Sequence, residues 1–251
     1  MESVNEKDLT IIKNHWENLE TESLEDKNLQ LVERSAIIEQ LEKIKISRLA
    51  DIGCGNCEDT IFFSNYANLV DAFDFSEKMI KEAINTITAS KTEKINVAKL
   101  DLINDQILNS YNTIITKRTL INLGNFENQK KAIEKIHYSL VKNGYYIMLE
   151  CSLDGLDNMN SIRKNFSMEK IPMPFHNYHF VIEKLLEFTE NLFEVVIKRY
   201  FSDYFFLTRI VGPLLNNKDP YKHDFIFKEL SDLTLINKHI GPQFLLVLRK
   251  K

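Results

Sequence analysis

Glycine and proline are scarce in this sequence, 7 and 5 among 251 residues. That excludes collagen-like chains and the Pro/Gly-rich compositions of disordered ones. Cysteine is scarcer still. Three thiols, an odd number, argue against a disulfide framework and fit a reducing compartment, so a cytoplasmic protein is expected. No basic excess is present. The formal net charge is −4, so a polyanion-binding surface is not the default and no nucleic-acid partner is expected. Long apolar runs are missing too, and none approaches the roughly 18 residues of a membrane span. The opening stretch, MESVNEKDLTIIKNHW, is polar and acidic and lacks the apolar segment of a leader. What remains is a chain that is 44% hydrophobic and 27% charged, enough to build one large domain, or a core with a sizeable cap.

No linker and no internal repeat divides the chain. Short apolar runs alternate instead with amphipathic stretches. LVERSAIIEQLEK (31–43) reads as a helix and RLADIG (48–53) as a buried strand. A loop and the helix EDTIFFSNYA follow, then the strand ANLVDAF, ending at Asp74. Ser76 is a good N-cap for a helix carrying Met79, Ile80, Ala83, Ile84 and Ile87 at helical spacing. INVAKL ends at Asp101, and NTIIT is a fourth strand. The helix after it, FENQKKAIEKIHYSLVKNG, places Ile133, Ile136 and Leu140 on one face and is expected to stop at Asn143-Gly144. YYIMLE is a fifth strand. This βα repeat over 47–151 predicts an α/β protein, a doubly wound, mostly parallel sheet with helices on both faces. Residues 152–180 have no clear period and read as an insertion. VIEKLLEF and LFEVVIKRY read as a helix and a strand, 202–240 as irregular helix, and QFLLVLRK as a closing strand.

In open α/β sheets ligands bind beyond the carboxyl ends of the strands. The first strand here runs into Asp51-Ile52-Gly53-Cys54-Gly55-Asn56, and Asp74 ends the second. An acidic strand end about 20 residues after a glycine loop is the offset of a group that grips ribose hydroxyls. The dinucleotide fingerprint needs a third glycine at 58, where this chain has Glu58 followed by Asp59. Two carboxylates at a helix N-terminus repel a pyrophosphate, which disfavours a nicotinamide cofactor. S-adenosylmethionine carries a sulfonium and an ammonium and no phosphate. A rim bearing Asp51, Asp74 and Asp101 suits it.

ADIGCGN, VDAFDFSEKMIKEA, AKLDL and YNTIITKRTLINL together resemble the class I S-adenosylmethionine-dependent methyltransferases, over about residues 32–151. The resemblance implies a seven-stranded sheet whose last strand, 243–250, is antiparallel. It implies one domain spanning 1–251: an N-terminal helical cap (1–31), a cofactor core (32–151) and acceptor-side insertions (152–180 and 202–240). It also implies that Asp51, Gly53, Gly55 and Asn56 cradle the methionine part, and that Asp74 with Ser76 and Met79 serves the ribose. Asp101 would reach the adenine amino group, Phe75 and Leu102 would flank the ring, and Lys117 would border the methionine end. S-adenosylhomocysteine would be the product. The family's third loop glycine would stand at 57, where this chain has Cys57.

The segment after strand five, with the later FSDYFFLTRIVGPLL, looks like a bacterial subgroup associated with glycan or small-molecule tailoring. The implied partner is a small-molecule or glycan-type acceptor, with a hydroxyl oxygen as the expected acceptor atom. Such an atom benefits from a general base, and His176 in PFHNYH is the candidate, although packing or turn-capping is the competing reading. Glu150 could orient His176 or bind an acceptor hydroxyl, with a solvated strand end as the alternative. Arg118 and Asn122 could contact the acceptor, though Asn122 could equally cap the next turn. Asn177, Tyr178, His179 and Tyr204 are further acceptor-side candidates, with core packing as the alternative. Cys54-x-x-Cys57 lacks a second ligand pair, so no metal is expected. His15-Trp16 either closes over the cofactor or seats the first helix. An amine, RNA or protein acceptor and a non-catalytic cofactor-binding module are the competing functions.

Overall fold

The computed structural model describes residues 7–18, 26–216, 225–232, 236 and 238–251. Helices α1 (Leu9–Glu17) and α2 (Lys27–Leu41) precede strand β1 (Ile46–Ile52). Then come α3 (Glu58–Phe63), β2 (Ala67–Asp74), α4 (Glu77–Ser90), β3 (Ile95–Lys99), β4 (Tyr111–Lys117), α5 (Phe126–Ser139) and β5 (Leu140–Cys151). The remainder comprises α6 (Leu153–Asn165), α7 (Ile182–Thr189), β6 (Phe193–Tyr200), short helical turns between Ser202 and Ser231, and β7 (Gln243–Lys250). The seven strands form one sheet in the order β3-β2-β1-β4-β5-β7-β6. β1 to β5 run parallel, and β7 is antiparallel between β5 and β6. This is the expected doubly wound architecture.

Successive residues of the central strands are buried on opposite faces. Leu49, Ile115, Ile147, Leu149, Leu245 and Val247 pack with α2, Ala83 of α4 and Leu156 of α6. Ala50, Ile114, Tyr146, Met148, Leu246 and Leu248 pack with Ile133 and Ile136 of α5 and Leu185 of α7. Helices cover both faces, so these strands read as continuous apolar runs without alternation. Local chemistry starts the helices. The side chains of Asp26, Ser76, Asn125 and Ser152 each accept a backbone N–H from the first turn of α2, α4, α5 and α6.

Four expectations need correction. α2 begins at Lys27, so a boundary at residue 32 cuts through a helix whose Asp26 cap starts it five residues earlier. α5 ends at Ser139, because Leu140 already pairs with Tyr111. Asn143, at φ 60°, and Gly144 lie in an irregularity inside β5 and do not stop a helix. The stretch after β5 opens with a regular helix, α6, capped by Ser152. Ile84, expected on the buried face of α4, is 50% exposed. Among the described residues no helix is long and apolar enough to cross a membrane.

Candidate functional site

A cleft of roughly 380 Å³ opens at the carboxyl ends of β1, β2, β3 and β4. Parallel strands direct their ends to one edge of the sheet, which is why residues far apart in sequence meet there. The strand-end loops form its floor, and Leu9, Ile12, Lys13 and Trp16 of α1 roof it. Asp51, Gly53, Gly55, Asn56, Asp74, Phe75, Met79, Asp101, Leu102, Lys117, Arg118 and Asn122 all line it.

The glycine loop is fixed by contacts on both sides. Gly53 lies at φ 79°, and a Cβ there would come within 2.1 Å of Thr119 Oγ1. That hydroxyl donates to Ile52 O at 3.0 Å. The N–H groups of Gly53 and Cys54 both donate to Phe73 O, at 2.7 and 2.9 Å. Gly55 is different: a Cβ there would meet no protein atom within 4 Å, so it presents bare backbone to open space. Cys57 has φ 64° and ψ 14°, the left-handed conformation in which a glycine would be unstrained. The departure from the family pattern is thus one of side chain, since the backbone keeps the glycine shape. A hydrogen bond with Cys57, and then burial, push the Cys54 thiol well above its ordinary value. It is a protonated thiol, without the thiolate character a metal ligand needs. Among the described residues no cluster of three or more metal-ligating groups exists.

The three strand-end carboxylates are each held differently. Asp51 accepts from Thr60 Oγ1 at 2.5 Å, and burial pushes its carboxyl up to about 6. Asp74 accepts from Gly55 N at 3.0 Å and Ser76 N at 2.9 Å, so it ties the glycine loop to the start of α4. Burial raises its carboxyl despite those bonds. Each carboxylate oxygen keeps a second lone pair for a ligand hydroxyl. Asp101 accepts from Lys13 Nζ at 2.5 Å and from Asn104 Nδ2 at 2.8 Å. Burial opposes ionisation of Asp101, but hydrogen bonds from Lys13, Asn104 and Ile103 N–H and the Lys13 charge together hold the carboxyl below its ordinary range. That bond also latches α1 over the cleft.

Charges concentrate at the β4 end. Asp59 closely contacts both Lys117 and Arg34. Burial works to raise its carboxyl, yet the two cations hold it low. Glu33 of α2 is fully buried beside Arg118 Nε at 3.4 Å and Lys117 Nζ at 4.0 Å. Arg118 has φ 54°, a strained conformation for a side chain of its size. The strain is held from both sides: its N–H donates to Leu149 O at 2.8 Å, and its carbonyl accepts from Asn122 Nδ2 at 2.8 Å.

Several expected residues lie outside the cleft lining. Glu150 is fully buried and accepts the N–H groups of Thr119, Leu120 and Ile121 at 3.1, 3.0 and 3.3 Å. It is therefore the clamp of the turn after β4, and both readings of it as an exposed or acceptor-facing strand end are corrected. His176 stacks on His15 with centroids 4.4 Å apart, beside Trp16 and Phe175. Burial, and then His15, lower its imidazole to about 4. Asn177 and His179 are buried, and Tyr178 N donates to Ile121 O at 2.7 Å, which pins this segment to the β4 turn. Tyr204 donates to Asp26 Oδ1 at 2.7 Å and supports the cap of α2. Ser76 caps α4 and does not line the cleft. Sequence reasoning passed over Lys13, Gln30, Glu33 and Thr119, all on or behind the cleft wall. Trp16 lines it, which favours the covering role of the His15-Trp16 pair.

The residues present fit the expected cofactor. Three carboxylates and a bare glycine backbone share one cleft. Trp16 Nε1, Arg118 Nε and Asn122 Oδ1, all on residues lining the cleft, are buried without hydrogen-bond partners. Such groups are costly unless a ligand satisfies them.

A family model described as a methyltransferase domain matches residues 45–187. No curated protein matches the sequence. Among solved structures, magnesium protoporphyrin IX methyltransferase from Synechocystis PCC 6803, with bound S-adenosylhomocysteine, is similar at 13% identity and TM-score 0.63, over 97% of this chain and 100% of that one. The N-methyltransferase NodS from Bradyrhizobium japonicum WM9, in complex with S-adenosylhomocysteine, is similar at 10% identity and TM-score 0.57, over 96% and 97% of the two chains. The cyclase SpnF is similar at 16% identity and TM-score 0.60, over 86% and 80%. At these identities the likeness is one of fold.

Proposed function

The chain belongs to the methyltransferase-domain family, and from that premise we propose that it transfers the methyl group of S-adenosylmethionine to a small-molecule acceptor. The observation that carries this reading is the convergence of Asp51, Asp74 and Asp101 with the bare Gly55 backbone on one cleft. In this reading Asp74 holds the ribose hydroxyls, Phe75 and Leu102 flank the adenine, and the Gly53–Asn56 loop supports the amino-acid end. When bound, S-adenosylmethionine supplies a methyl group already activated by its sulfonium. The protein's task is then to position the acceptor atom in line and to exclude water. α1 provides the exclusion, since Ile12 is 2% exposed beneath it and Lys13 latches it to Asp101.

For the acceptor atom we favour a nitrogen, or another atom that is nucleophilic without help. A hydroxyl acceptor calls for a base with proton affinity near the working pH. His176 is the base expected from the sequence, but it is stacked on His15 and edge-on to Trp16, outside the cleft lining, and lowered to about 4. An RNA acceptor has less support, because the chain carries a net charge of −4.

Calorimetry tests the cofactor. Binding of S-adenosylmethionine and S-adenosylhomocysteine is expected, weakened about tenfold or more by Asp74→Ala. Absence of heat with both ligands sinks the reading. Labelled methyl transfer to panels of low-mass amines and hydroxyl compounds tests the acceptor atom. Transfer to hydroxyl compounds alone, abolished by His176→Ala, would restore the histidine-base reading.

A further inference from the structure

We infer that Arg118 is an oxyanion receptor at the β4 end of the cleft, set up by Glu33 and Asn122 to take a carboxylate or phosphate group of a bound molecule. This rests on the methyltransferase reading for the identity of the cleft's other occupant. The first support is an unmet guanidinium. The Arg118 side chain is only 16% exposed, lines the cleft, and among the described residues makes an ion pair with Glu33 but no hydrogen bond. A guanidinium carries five donors in a planar fork suited to bidentate oxyanions. Nε is buried against Glu33, and the Nη donors are the part of the fork left for a ligand in the cleft.

Local charge is the second support. At this end of the cleft Arg34, Lys117 and Arg118 face two carboxylates, Glu33 and Asp59. Asp59 is shared by Arg34 and Lys117, which leaves Glu33 for Arg118. Asp26, the next carboxylate behind Glu33, is already paired with Arg209 Nη2 at 2.7 Å. Arg34, Lys117 and Arg118 thus share these two carboxylates, with Asp51 near Lys117 on the same wall. Glu33 is itself fully buried, and burial opposes its ionisation while Arg118 and Lys117 favour it.

The backbone is the third support. Arg118 sits at φ 54° between two anchoring hydrogen bonds, its N–H to Leu149 O and its carbonyl from Asn122 Nδ2. Strain so firmly held aims a side chain that a relaxed strand end would turn elsewhere.

The oxyanion has two possible sources, the amino-acid carboxylate of the cofactor or a group on the acceptor, and calorimetry on the full chain separates them. S-adenosylhomocysteine is compared with 5′-methylthioadenosine, which lacks the amino-acid carboxylate, on wild type and Arg118→Met. Inorganic phosphate and acetate are titrated into both proteins, with and without S-adenosylhomocysteine. If the cofactor is the source, Arg118→Met loses about tenfold for S-adenosylhomocysteine and nothing for methylthioadenosine. If the acceptor is the source, both nucleosides bind the variant as they bind wild type. Phosphate or acetate then binds the wild-type complex saturably and loses about tenfold in the variant. Unchanged S-adenosylhomocysteine affinity together with no Arg118-dependent anion binding overturns the inference. Failure of wild type to bind either nucleoside overturns the methyltransferase reading instead, and the anion titrations without nucleoside still decide on Arg118. If Arg118→Met does not stay folded by circular dichroism, Arg118→Lys is read the same way, because it keeps the charge and loses the fork.

Discussion

At the scale of single residues, the buried polar groups divide into those that shape the site and those that face it. Glu150 belongs to the first kind. Its carboxylate gathers three N–H groups that the turn after β4 would otherwise leave unpaired. Glu150→Gln is expected to destabilise the fold by about 1–3 kcal/mol, measured by urea unfolding, because an amide NH2 must then face an N–H donor. The pH dependence has a definite sign. Burial, opposed by those N–H groups, pushes the carboxyl up from 4.5 to about 7. The folded state thus holds the proton more tightly than the unfolded chain. This residue's contribution is complete below about 4.5 and is lost as pH rises through about 7. Wild type should therefore lose more thermal stability than Glu150→Gln between those limits. A parallel pair of curves would show that the carboxyl is not perturbed. Cys57 shows the converse situation: its strained φ sits where a glycine would be free, and only the comparison with the family pattern draws attention to it.

At the scale of elements, α1 carries the least expected role. It is one short helix whose Lys13 meets Asp101 and whose Glu17 accepts from Ser76 Oγ at 3.1 Å and Glu77 N at 3.2 Å. It therefore spans the ends of β2 and β3 and roofs that side of the cleft. Trp16→Ala removes an indole from that roof and should weaken S-adenosylhomocysteine binding about tenfold while moving the melting temperature little. Equal affinities in calorimetry would mean that the roof does not touch the nucleoside. The strands and their terminal acids were legible from the chain alone, since βα periodicity and strand-end position are local properties. What was not legible depends on contacts between distant segments. Glu150 finds its partners about thirty residues earlier, and Glu33 meets Arg118 only because α2 packs under the β4 end. His176 read as an acceptor-side base because proline and histidine clustering marks a loop. That same loop is folded against α1, where a stacked imidazole takes its place in an aromatic group.

At the scale of the whole molecule, the catalytic-looking edge and the core depend on segments beyond the matched family region of 45–187. β7 fills the sheet between β5 and β6 and buries Phe244, Leu245, Leu246, Val247 and Leu248. α2 buries Leu29, Val32, Ala36, Ile37 and Leu41 on the other side of the match. Each large side chain of this kind contributes about 1.5–3 kcal/mol on burial. A domain's net stability is only about 5–15 kcal/mol. A fragment limited to 45–187 is therefore expected to show no cooperative unfolding transition, whereas the full chain should show one. A cooperative melt of the fragment would mean that the flanking elements are additions to an independent core.

The contact between Gly53 and Thr119 bears on how such a protein can change its acceptor through evolution or design. Thr119 follows Arg118 in the turn after β4, and its hydroxyl stands against the bare Cα of Gly53 in the glycine loop. Arg118 and Asn122 are tied to each other and, through Glu33, to α2, while Thr119 is tied to Gly53. A library that randomises all of them would spend most of its members breaking cofactor binding. One that holds Thr119 would explore new acceptors on an intact donor site.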